Sequence, residues 1–91
     1  MTVFQKAIIE RLQDEMENRR KSNGILANVT RIVEFQPVGA EFSKVLGETT
    51  LHWFVRTDYI EDGVTDIASW HITLFEDGNM GVRLLEIEKQ N

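Results

Sequence analysis

His52 and His71 are the only two imidazoles in the chain, and two imidazoles on one surface can shuttle protons or share a metal. A metal site needs further ligands. The chain has no cysteine, and the nearest carboxylate expected beside the pair is Asp58. Ordinary surface histidines on a strand are the expected reading, with no metal and no cofactor. Asp58, Glu61, Asp62 and Asp66 crowd one hairpin, and Glu76-Asp77 adds a second acidic group. Oxygen ligands of this kind suit a hard cation, yet their order lacks the alternate spacing before a glycine that a calcium loop requires. A solvated acidic turn is expected there. Gly24, Gly39, Gly47, Gly63, Gly78 and Gly81 are scattered and form no phosphate-cradling loop. Ser22, Ser43 and Ser69 lack an elbow motif, and Ser69 near His71 has neither an orienting group nor an oxyanion hole in view. The run Arg19, Arg20, Lys21 reads as compensation of a helix C-terminus rather than a phosphate-binding patch. These patterns carry no catalytic apparatus, and the protein is expected not to be an enzyme.

The composition narrows the field further. Ninety-one residues accommodate one core, and 42% hydrophobic against 27% charged residues is a globular balance. Without cysteine there are no disulfides and no thiolate zinc sites. No apolar run approaches the length of a membrane span, and charges at Lys6 and Glu10 interrupt any secretory signal. A soluble cytoplasmic protein is the expectation. Ten Lys and Arg against fifteen Asp and Glu give a net charge of −5, which repels nucleic-acid phosphates unless the cations cluster. Direct nucleic-acid binding is not expected.

The elements that would position these residues follow from periodicity. Thr2 and Gln5 have the spacing of a capping box, and Phe4, Ile8, Leu12 and Met16 recur every four residues, with Ala7 and Ile9 beside them. The spacing predicts an amphipathic helix over about 3–22, stopped by Asn23-Gly24. From Ile25 the period becomes two, with Ala27, Val29, Val33 and Phe35 on one face, predicting a strand over about 28–36 that ends near Pro37. Residues 38–48 fit an edge strand, a helical turn or a loop. Strands follow over about 49–60, 65–76 and 80–88, joined by turns at Glu61-Asp62-Gly63 and Asp77-Gly78-Asn79. The apolar phase of the last strand switches from Met80, Val82 and Leu84 to Leu85 and Ile87, which implies a bulge or burial on both faces. Burying both tryptophans requires that paired residue numbers add to an odd sum. A four-residue loop pairing Ile60 with Thr65 then sets Val55 opposite Trp70 and Trp53 opposite Ile72 inside, and Phe54 opposite His71 outside. The expected fold is α+β: one N-terminal helix on a three- or four-stranded antiparallel meander, in two layers and one domain, 1–91.

Once the tryptophans point inward, the same parity turns His52, Phe54, Arg56, Ile67, His71 and Phe75 outward. A solvent-facing sheet normally shows polar residues, whereas aromatics with Arg and His are an interface composition. The leading expectation is therefore a small acidic binding module that acts by occlusion through this face, on a protein partner or on a second copy of itself. An alternative is an inhibitor of a nucleic-acid enzyme, of the kind phages and mobile elements carry, whose carboxylates imitate phosphates. Its acidic surface would comprise Asp58, Glu61, Asp62, Asp66, Glu76 and Asp77. The helix-plus-sheet plan and the segment from Trp70 to Ile87 loosely resemble uracil-DNA glycosylase inhibitors and the small acidic anti-defence proteins of phages, with no motif matched residue for residue. That resemblance implies the inhibitor reading. A third reading, a small ligand-binding domain with a pocket between helix and sheet, lacks convergent polar groups on the inner faces.

Overall fold

The structure is a computed structural model describing residues 1–90; Asn91, the last residue of the expected domain, lies outside them. One helix, α1 (Val3–Asn23), packs on a single antiparallel sheet of β1 (Ala27–Asn28), β2 (Ile32–Ser43), β3 (Glu48–Glu61), β4 (Val64–Leu74) and β5 (Met80–Glu88). Both β1 and β2 pair with the same edge of β3, so the order across the sheet is β1 and β2, then β3, β4 and β5. The result is a two-layer α+β meander.

The helix starts where the capping residues dictate. The Gln5 N–H donates to Thr2 Oγ1 at 3.1 Å and the Thr2 N–H to Gln5 Oε1 at 3.0 Å, which satisfies donors that have no partner in a first turn. At the other end the Gly24 N–H donates to the Arg20 carbonyl at 3.0 Å. Ile8, Ile9, Leu12 and Met16 are buried against Val55, Tyr59, Ala68, Trp70 and Ile72 of the sheet. Trp70 is completely enclosed at the centre. Its indole N–H donates to Thr57 Oγ1 at 3.0 Å, whose hydroxyl donates in turn to the Asp58 carbonyl at 2.8 Å, so a large apolar ring is buried with no donor left unpaired.

The register between β3 and β4 is the one that parity requires, with Val55 opposite Trp70, Trp53 opposite Ile72 and Phe54 opposite His71. Pairing runs one step beyond Ile60 and Thr65 to Glu61 opposite Val64, so the loop is two residues rather than four. Asp62 (φ 52°) and Gly63 (φ 77°) both take left-handed conformations. That geometry defines the tight hairpin turn whose twist matches the strands it joins. The phase switch in β5 is a bulge at Leu85, between the pairs Ser69–Glu86 and Trp70–Leu84, which keeps Met80, Val82, Leu84 and Ile87 all on the core side.

The first edge departs from the sequence expectation. What reads as one strand over 28–36 is two, because residues 29–31 leave the ladder. Val29 drops fully into the core, and its carbonyl accepts from Gln13 Nε2 of the helix at 2.9 Å. The Asp58 carboxylate accepts from the Thr30 N–H at 2.6 Å, the Arg31 N–H at 3.1 Å and the Thr30 hydroxyl. The break persists because side chains supply the partners that a neighbouring strand would have supplied. A register shift at Val33, between the pairs Ile32–Thr57 and Glu34–Arg56, then lets both Ile32 and Phe35 pack on the core while Val33, expected inside, is exposed. Pro37 does not end the strand. On an edge strand a missing N–H breaks no central ladder, and β2 continues past it through a bulge at Val38 to Ser43. Gly39 follows at φ 143°, a conformation open to glycine alone.

Trp53, expected to be buried like Trp70, is only half-buried. It lies beneath the first turn of the helix, with its ring centroid 4.7 Å from Phe4 and 6.3 Å from Phe35. Beyond it the β2–β3 hairpin extends past the helix, and Phe42 (61% exposed) and Leu51 (41%) have no helical layer above them. The molecule is elongated accordingly, 43 × 27 × 23 Å.

Replacing Trp70 with alanine is expected to cost about 3–5 kcal/mol in chemical denaturation and Trp53→Ala about half as much. Asp58→Ala is expected to cost about 3 kcal/mol, because it strands two backbone donors. Equal losses at the two tryptophans, or an Asp58 variant as stable as the parent, would contradict this packing.

Candidate binding face

The helix covers one face of the sheet and leaves the other without a second layer. On that outer face the pairings align His52, Phe54 and Arg56 of β3 with Thr73, His71 and Ser69 of β4, and these with Gly81, Arg83 and Glu86 of β5. Ile67 belongs to the same row. Phe75 follows the end of β4 and lies over Gly81, so close that a Cβ at position 81 would meet its ring at 3.4 Å. All six residues expected on this face are present on it, and all are half-buried.

Phe54 and Phe75 are outside the core cluster and stand on either side of His71 and Arg83. Val38, Trp53, Phe54, His71, Arg83 and Leu85 line one shallow depression of about 230 Å³. A second, of about 310 Å³, is lined by His71, Thr73, Phe75, Gly81, Val82 and Arg83. Val38 and Leu85 are the bulged residues of β2 and β5, and they are 67% and 45% exposed. The same bulges that correct the core phase therefore push apolar side chains toward the outer face.

Arg83 takes the place on this face that the sequence suggests for Arg56. Arg56, expected to be a free polar contact, is held by Glu34 at 3.4 Å and Glu88 at 2.6 Å. A guanidinium that joins carboxylates of β2 and β5 must cross β4, which explains why Ser69, opposite Arg56, is buried on the outer face. Arg83, which the sequence reading overlooks, is exposed and makes no ion pair among the described residues. The signal was present in the alternation, since Arg83 falls between the core residues Val82 and Leu84.

The histidines meet. His52 Nδ1 is 2.9 Å from His71 Nε2, and His52 Nε2 is 2.7 Å from Thr50 Oγ1. Among the described residues no group of three or more His, Asp or Glu side chains could hold a metal ion.

The acidic surface is a correction. Asp58 is buried and serves the break between β1 and β2, so it belongs to no solvated turn. Asp66 is buried too, accepting from the Gln90 N–H at 3.1 Å and from Lys89 Nζ at 3.2 Å. The exposed remainder divides between the two ends of β4, with Glu61 and Asp62 at one turn and Glu76 and Asp77 at the other. Eleven strand residues separate the two groups, about 35 Å at the usual rise. A further depression, of about 540 Å³, lies between the second half of α1 and β1. Its charged residues, Glu17 and Arg20, are already paired with each other.

No helix of the described residues is long and apolar enough to cross a membrane. Compared with protein-family models, with curated proteins and with solved structures, the chain matches none.

The Asp66 contacts make a prediction about acid. The Gln90 N–H and the nearby Lys89 ammonium hold its carboxyl below the ordinary value of 3.8. A lowered value means that the folded state favours the ionised form, so the tether contributes fully above 3.8 and is lost as pH falls through the lower folded value. Asp66→Asn is expected to speed amide exchange at Gln90 at neutral pH with little change at Trp70. Unchanged exchange at Gln90 would show that the tether is absent in solution.

Proposed function

We propose that this protein is a non-enzymatic, cytoplasmic binding module that acts by occlusion through the outer face of its sheet, on a protein partner or a second copy of itself. The observation that carries this reading is the uncovered pair of apolar depressions at Phe54 and Phe75, separated by His71 and by the guanidinium of Arg83, which is unpaired among the described residues. Aromatic rings beside an arginine are the usual energetic anchors of an interface. The bulged Val38 and Leu85 enlarge the apolar area around Phe54.

The inhibitor reading loses support from the same geometry. A phosphate mimic needs its carboxylates exposed and closely spaced, whereas Asp58 and Asp66 are spent on internal hydrogen bonds and the remaining acids lie at opposite ends of β4. A ligand pocket between helix and sheet is likewise weakened, because the two charged groups lining it, Glu17 and Arg20, pair with each other.

Phe54→Ala and Phe75→Ala are each expected to leave unfolding stability within about 1 kcal/mol while weakening association by about 2 kcal/mol, or roughly thirty-fold. Mass-resolved sizing reads self-association, and a pull-down at low and high salt reads a foreign partner. Loss of several kcal/mol of stability in both variants, with a monomer throughout, would assign the rings to the fold instead.

A further inference from the structure

The outer face contains one contact that a docking surface does not require, the direct bond between its two imidazoles. Each neutral imidazole has one N–H and one bare nitrogen, so the contact between His52 Nδ1 and His71 Nε2 at 2.9 Å needs one donor and one acceptor. The surroundings assign them. Thr50 Oγ1 donates to the Glu41 carbonyl at 3.4 Å, which leaves it to accept from His52 Nε2–H at 2.7 Å. His52 Nδ1 is then the bare nitrogen. The Thr73 hydroxyl, 3.4 Å away, is a second donor aimed at the same atom. His71 therefore donates through Nε2–H, and its own basic site is Nδ1.

We propose that His52 and His71 form a one-proton latch across β3 and β4: the pair stays closed with no added proton or with one, and opens when it takes two. A first proton enters at His71 Nδ1 and leaves one shared proton between His71 Nε2 and His52 Nδ1, a charge-assisted bond whichever ring carries the charge. A second must enter between those same two nitrogens. Two N–H groups would then face each other across a hydrogen-bond distance, on two cations. Opening removes the His71 ring from the walls of both depressions that it lines.

The charged groups facing the pair come from both sides. From β2, a Glu41 carboxylate oxygen lies 3.9 Å from His52 Nε2, and its charge favours a proton on His71. From β5, Arg83 opposite His71 opposes one. Within the next row Arg56 is already neutralised by Glu34 and Glu88, and α1 packs on the other face of the sheet. Burial first, then His52 and Arg83, lower His71 from its ordinary value of 6.5 despite Glu41. A value lowered in the folded state means that the unfolded chain binds more protons just below 6.5, so stability drops as pH is lowered through that window.

Long-range ¹H–¹⁵N spectra of the imidazole rings, recorded on the full chain from pH 8 to 4.5, test the latch. The neutral form is expected to show both rings protonated at Nε2. Two coupled steps should follow, the second proton binding at least about ten-fold more weakly than the first, and the Phe54 and Arg83 amide signals should move with the second step. In His52→Gln, His71 should titrate in a single step, and the amide dispersion of that variant reports whether it is folded. Two rings that titrate independently in the parent, or a neutral form with His52 protonated at Nδ1, would overturn the proposal whether or not the variant folds. Neither result depends on a partner, so the latch stands or falls separately from the docking role of the face.

Discussion

Trp70 opposite Val55, at the centre of the unbroken register between β3 and β4, is the contact on which the remaining structure depends. The indole occupies the middle of the inner face, and the helical stripe of Ile8, Leu12 and Met16 closes over that face. Arg19 lies 6.0 Å above the ring and extends the cover toward the helix C-terminus. Because side chains alternate strictly along a strand, seating this one ring inward decides the direction of every other residue on both strands. His52, Phe54, His71 and Arg83 share an exposed face as a consequence of that seating.

Two irregular edges accommodate the regular centre. On β5 the bulge at Leu85 lets Ile87 return to the core after Leu84. On the other side residues 29–31 leave the ladder, and Asp58 takes up their donors, so that a carboxylate on the outer phase of β3 is consumed by the fold. The bulge at Leu85 and a further one at Val38 of β2 shape the candidate site as well as the core. Leu85 and Val38 are exposed because they are the extra residues of bulges, and they form the apolar walls beside Phe54. The apolar character of the outer face is in part the counterpart of correct packing on the inner one.

A separate apolar region lies at the end of the β2–β3 hairpin, where Phe42 and Leu51 continue the inner face past the helix and Leu46 lies exposed in the turn. The helix begins at Val3 and its first large apolar residue, Phe4, reaches only as far as Trp53 and Phe35. Sheet length therefore exceeds helix cover, and Trp53 marks the boundary.

Much of this was determined by the sequence alone. The capping box at Thr2 and Gln5, the four-residue recurrence of the helical stripe, the odd-sum register of β3 and β4 and the existence of a phase break near Leu85 are local or pairwise patterns, and each is present in the fold. The candidate face was legible to the same extent, since the parity of two tryptophans orients Phe54, His71 and Phe75. Tertiary structure decided what depends on distant partners. Whether Asp58 is solvated depends on a break between strands some thirty residues earlier; whether Arg56 is free depends on Glu34 and Glu88 of two other strands; whether two histidines nineteen positions apart share a proton depends on the rotamers their neighbours impose. Periodicity reports which face a side chain takes, because backbone geometry sets it within one strand. It does not report which polar group that side chain meets, because that partner is brought by the folding of the whole chain.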